Sequence, residues 1–200
     1  MKIGLTRDEL KRQREALNRY LRYFPILELK KKQLQMEILH QEELLIEKKK
    51  EEQEKKREIL NWVGLLKELE IEIKPWVLPQ KIYGTKNIAG VDIPYIEKLE
   101  FPFLEYDLFL TPLWLDYAVE KLREWAVLRE EIFVLERAIS ILKEELRVTT
   151  QRVNLFEKVK IPQAEEAIRV IKIYLGDQMA NAVVRSKLAK KKLEEVEAGL

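Results

Sequence analysis

The side chains that could do chemistry in this 200-residue chain are few, and their spacing argues against a catalytic site. His40 is the only histidine and there is no cysteine. A histidine-based metal cluster, a thiolate zinc site, a disulfide framework and a Ser–His triad are therefore all excluded. Carboxylates are abundant, 35 against 37 basic side chains. They alternate with lysines at helical spacing, which serves solvation rather than paired acid–base work. Neither a P-loop nor a G-x-G-x-x-G string occurs, so a nucleotide would be bound by neighbours and not by this chain. No catalytic, cofactor-binding or metal-binding residue is expected, and His40 reads as a helix-surface side chain.

The bulk numbers point to long helices. Charged residues make up 36% of the chain, with only six glycines and seven prolines, a composition that leaves little loop. The formal charge of +2 gives no strong global attraction to nucleic acid or anionic lipid. The N-terminus has no apolar signal region, and no run of about 18 apolar residues could span a bilayer. The expectation is a soluble protein in a reducing cytoplasm, with no nucleic acid and no membrane insertion.

Taken in order, Thr6-Arg7-Asp8-Glu9 has the spacing of a capping box. Leu10, Leu17, Leu21, Phe24, Leu27, Leu34, Ile38 and Leu45 then follow a narrow stripe, as in a coiled-coil seam. Pro25 predicts a kink or short break near 22–25. Glu47–Glu58 contains no apolar side chain and reads as a solvated helix held by Glu–Lys pairs three and four apart. Apolar spacing resumes at Ile59, Leu60, Val63, Leu66 and Leu69 and ends at Pro75 and Pro79. In 76–103, Ile82-Tyr83-Gly84 and Gly90–Pro94 read as two short strands around Thr85–Ala89. Phe101-Pro102-Phe103 and Tyr106 suit an irregular or extended segment. Thr111-Pro112 restarts a helix as N-cap and first helical residue. Its seam runs through Val119, Leu122, Ala126, Phe133, Ile139, Leu142 and Leu146 to Val153 and Phe156. Beyond Pro162 it continues through Ile168, Ile171, Leu175, Met179, Ala182 and Val183 to the basic end Arg185, Lys187 and Lys190–Lys192.

The fold class is thus all-α: a long antiparallel two-helix coiled coil, kinked near Pro25 and Pro162, with a small β-hairpin insert at about 76–103. The segments are 1–75, 76–110 and 111–200, forming one elongated domain. At about 1.5 Å per residue, 111–195 alone would span on the order of 125 Å. If residue 72 faces residue 112, Pro25 faces about residue 159, and both kinks fall at one level. Glu47–Glu58 then faces 126–137, whose apolar side chains need another cover. That cover is either the insert folded back or a partner bound around Leu128, Ile132 and Leu135. The C-terminal helix protrudes, carrying Met179, Ala180, Ala182 and Val183 as a tip suited to sit inside something.

Three separated strings carry a resemblance. Thr6 with Leu27–Leu34, the turn Ala89-Gly90-Val91-Asp92-Ile93-Pro94, and Arg152-Val153-Asn154-Leu155-Phe156-Glu157 with Ile161-Pro162 resemble, in order and separation, the D subunit of V/A-type ATPases and ATP synthases. That family is a central rotor stalk. After Pro162 the chain departs from the family's charged run, with Leu175–Asn181 in its place.

The resemblance implies a non-catalytic axle that couples ATP hydrolysis or synthesis to rotation of a membrane ring translocating protons or sodium. It implies both termini inside the catalytic A/B hexamer, with the F subunit and the C (or d) subunit towards the insert end. The location implied is cytoplasmic and peripheral to the membrane. Besides Leu128, Ile132 and Leu135, the candidate interface residues are Gly90, Val91, Arg152, Asn154, Met179 and Val183. Asn154 also suits a register-setting polar seam position. The rival reading, from composition and periodicity alone, is a homo-oligomeric coiled-coil scaffold or tether.

Overall fold

The computed structural model describes residues 4–68, 74–103 and 111–197; Leu69 and Tyr106, assigned above to a helix and an irregular segment, lie outside them. The elements are α1 (Arg7–Leu60), a 3-10 turn (Val63–Glu68), α2 (Lys74–Val77), β1 (Gln80–Ile88), β2 (Val91–Glu100), α3 (Leu115–Leu155), a π-helical turn (Phe156–Lys160) and α4 (Ile161–Glu197). Contacts group the chain into two compact units. The terminal unit is Met1–Leu29 with Thr149–Leu200, and the hairpin unit is Lys30–Val148.

In the hairpin unit the second half of α1 runs antiparallel to α3. Leu34, Ile38, Ala138 and Leu142 are buried between them, and Ile93 of β2 closes the cluster. Ile88, Ala89 and Val91 at the hairpin tip pack on the same cluster. The charged stretch of α1 pairs across the helices: Lys48 with Glu131 at 3.0 Å, Lys49 with Glu136 at 2.7 Å, and Lys55 with Glu124. Only Lys48–Glu51 has the expected spacing of three within the run. A neighbouring helix offers carboxylates in reach, so the lysines do not rely on their own helix. Lys49–Glu136 and Lys143–Glu42 fall within one residue of the expected register, whereas Lys48 and Lys55, expected opposite residues 136 and 129, each meet a carboxylate five residues earlier, about a turn and a half away.

Two element ends differ from expectation. α1 stops at Leu60 rather than near Pro75, because Asn61 and Trp62 donate to Glu58 and Ile59 and tighten the chain into a turn. α3 starts at Leu115 rather than Pro112, since the Leu115 amide first closes a turn on the Pro112 carbonyl at 3.0 Å.

The hairpin strands are longer than expected. Thr85–Ile88 lies in β1, paired with Val91–Pro94, and the turn is Ala89-Gly90. Both turn residues have positive φ, 51° and 75°, the type I′ geometry whose twist matches paired strands. The Asn87 side chain accepts from the Gly90 amide at 3.1 Å and donates to Asp92 at 2.7 Å. A bulge beside Ile82–Tyr83 bends the other end.

In the terminal unit, Thr6 caps α1, its hydroxyl accepting from the Glu9 amide at 3.2 Å. The Glu9 carboxylate accepts from Gln13 instead of completing the box. α1 runs unbroken through Pro25. Earlier in the helix Tyr20 takes an inward position, meeting Phe156 edge-on at 5.3 Å, while Leu21, expected in the seam, is exposed. The irregularity sits before Pro162. Proline has no amide to give the Lys158 carbonyl and its ring crowds that oxygen. The turn widens there, and Ile161 donates to Phe156, five residues back.

The π turn also rephases the seam. Inward positions recur every seven residues at Thr149 and Phe156, skip to Ala164 after eight, then resume with Ile171. Val153, Ile161, Ile168 and Leu175 show the same single step of eight. The wider turn absorbs one extra residue, so Ala164, Ala167, Ile168 and Ile171 stay buried.

Candidate partner interface

The chain's own insert folds over part of the apolar stretch 126–137, near Val134 and Leu135. Tyr83 donates to Glu130 at 3.1 Å, Lys81 pairs with the same carboxylate, and Ile93 packs against Ala138 in the shared cluster. Leu128 is only 7% exposed and so has little left to offer a partner. Ile132 and Leu135 are half-buried. Leu135 lines an open cleft of about 330 Å³ under Ile93, Pro94 and Tyr95. Phe133, expected in the seam, is 51% exposed and presents the largest free apolar side chain of this stretch.

Arg123 fastens the base of the insert to α3. It donates to the carbonyls of Trp76 at 2.9 Å and Pro102 at 2.6 Å, and lies 5.2 Å from the Phe101 ring centre. Sequence reasoning passes over it, because one arginine in a charge-rich helix gives no signal. Gly90 is exposed at the turn, whereas Val91 is half-buried against the core cluster. His40 is exposed on α1, close to Ile88 and Ala89.

In the terminal unit Arg152 and Asn154 are both exposed, so Asn154 is not the buried polar residue of the seam. Thr149 takes that place, 1% exposed with its hydroxyl unpaired. Beyond Leu175, every described side chain of 176–194 is exposed. Met179 and Val183 are 55% and 52% exposed, and Val184 and Leu188 are similarly open. A single helix cannot bury its own apolar residues, and these four stay open to solvent.

Electrostatics separates the units. The terminal unit holds 17 basic and 11 acidic residues, net +6, and the hairpin unit 20 and 24, net −4. In the hairpin unit, Glu124 is held below the ordinary carboxylate range by hydrogen bonds from Lys55 and then Lys121. Lys48 is raised, chiefly by its bond to Glu131. These shifts follow from ion pairing. Among the described residues no group of three His, Cys, Asp or Glu could hold a metal ion, and no helix is long and apolar enough to cross a membrane.

Residues 9–191 match the family model described as the D subunit of ATP synthase. The chain is 42% identical over 193 residues to the V-type ATP synthase D subunit of Borreliella burgdorferi, covering 96% of this chain and 95% of that one. It is 30% identical over 199 residues to the protein of that name from Chlamydia trachomatis serovar L2, covering 96% and 97%. The Chlamydia pneumoniae protein is also 30% identical, over 197 residues, covering 97% and 94%. The paired helices, the hairpin and similarity along nearly the full length make this chain a member of the D-subunit family of V-type ATP synthases.

Proposed function

We propose that the chain is the central-stalk rotor of a V-type ATPase or ATP synthase. It couples ATP hydrolysis or synthesis in a catalytic A/B hexamer to rotation of a membrane ring translocating protons or sodium. It catalyses nothing itself and lies on the cytoplasmic side, peripheral to the membrane. Both termini enter the hexamer, and the F subunit and the C (or d) subunit attach towards the hairpin end.

The observation that carries this reading, beyond family membership, is the fully exposed 176–194 stretch with its apolar Met179, Val183 and Leu188. A helix end of that kind suits enclosure by a surrounding assembly. Arg152, Asn154, Gly90, Phe133 and the half-buried Ile132 and Leu135 are the further contact candidates. Leu128 and Val91 support the interface from beneath. A packed seam gives the axle torsional stiffness.

Native mass spectrometry of the tagged chain from its own cells tests the proposal. One copy bound to three A and three B subunits is the expected result. A homodimer free of ATPase subunits would overturn it in favour of the scaffold.

A further inference from the structure

The charges of the two units are satisfied differently. Lys30, Lys48, Lys49, Lys55 and Lys143 of the hairpin unit each pair with a glutamate on the opposing helix. In the terminal unit the ion pairs among the described residues, Arg12–Glu9, Arg169–Glu166 and Lys190–Glu194, all stay within one helix. Arg7, Lys11 and Arg14, spaced by four and three, share a face of α1, and Lys172 of α4 joins them around an open cleft of about 490 Å³. None of these four cations has a carboxylate within ion-pair distance among the described residues. The floor of the cleft is apolar, with Leu10 and Leu175 half-buried.

We infer that this cleft docks an acidic, partly apolar segment of a neighbouring protein subunit. Four clustered cations with no carboxylate in reach among the described residues repel one another, and carboxylates placed among them relieve that repulsion. The apolar floor selects a polypeptide over a free phosphate, because a bare anion leaves Leu10 and Leu175 uncovered. The charged side chains lining the cleft, Arg7, Lys11, Arg14 and Lys172, are all exposed, which does not suit coordination of a small buried ion. The inference rests on the rotor reading, which supplies the neighbour: the acidic segment belongs to the subunits enclosing the termini.

A zero-length carbodiimide applied to the intact complex tests it. The reagent joins a lysine amine to a carboxylate in contact with it as an amide, and takes up the released water to become a urea. Lys49–Glu136 and Lys143–Glu42, at 2.7 and 2.6 Å, are built-in positive controls. Amide links from Lys11 or Lys172 to aspartate or glutamate of another subunit are the expected result. Arg7→Gln, Lys11→Gln, Arg14→Gln and Lys172→Gln together then slow assembly about tenfold at low salt, with the difference gone at high salt. Control links forming while Lys11 and Lys172 stay unlinked would overturn the inference, as would a nucleic acid or lipid found there. Should the chain prove free of ATPase subunits by native mass spectrometry, the rotor reading itself fails, a result distinct from the missing link.

Discussion

Tyr95 lays its ring across Gly84, its cross-strand partner, so closely that a Cβ at position 84 would sit 2.5 Å from the ring carbons. The aromatic covers the strand glycine and supplies the packing surface that residue lacks. Gly84→Ala forces the ring away and is expected to destabilise the hairpin unit by about 1–3 kcal/mol. Urea denaturation of the full chain measures this. An unchanged midpoint would show that the ring moves aside freely.

Leu142 is fully buried in the cluster shared by α1, α3 and the hairpin. Truncation to alanine leaves a cavity and is expected to cost about 2–5 kcal/mol. Phe133→Ser, on the exposed side of the same helix, is expected to stay within about 0.5 kcal/mol of the parent. Equal losses for the two variants would mean that Phe133 is packed in the isolated chain.

Thr149 keeps an unpaired hydroxyl in a seam otherwise built of apolar side chains. Valine preserves the branched shape and removes the unsatisfied group. Thr149→Val is expected to stabilise the chain by about 1 kcal/mol. A lower melting temperature for the variant would instead mean that the hydroxyl finds a partner in solution.

Glu124 is held below its ordinary range by Lys55 and Lys121. Its contribution to stability is fully present above the unfolded value, ~4.3, and is lost as pH falls through the lowered folded value. Glu124→Gln is therefore expected to be less stable than the parent at pH 7, with the gap closing under acid. Denaturation midpoints at the two pH values check this, and a gap constant with pH would rule it out.

The helical pairing is legible in the sequence because its signals are local and repeated. Leu34, Ile38, Ile139 and Leu142 recur at coiled-coil spacing and are buried. The hairpin is legible as a hairpin, but Ala89 does not advertise positive φ, so Thr85–Ile88 reads as turn although it belongs to the strand. Phe133 and Leu21 read as seam and lie outside it, because a narrow seam leaves other apolar residues exposed and periodicity tolerates neighbours of either phase. The cation cluster is illegible altogether. Arg7, Lys11 and Arg14 sit in a charge-rich helix, and only Lys172, far away in sequence, turns their spacing into a cleft.

The π turn makes one stretch of this chain tolerant of a change in length. Because Phe156–Lys160 already holds one residue more than a seven-residue repeat needs, removing an exposed one, such as Lys158, together with Pro162→Ala, which restores the missing amide, lets the helix revert to ordinary winding. Val153 and Ile168 would keep facing the same way. With the π turn kept, the same deletion in 149–155 would turn the side chains that follow by roughly 100° relative to those before it. Relatives that gain or lose a single residue in these helices are therefore expected to do so at this turn.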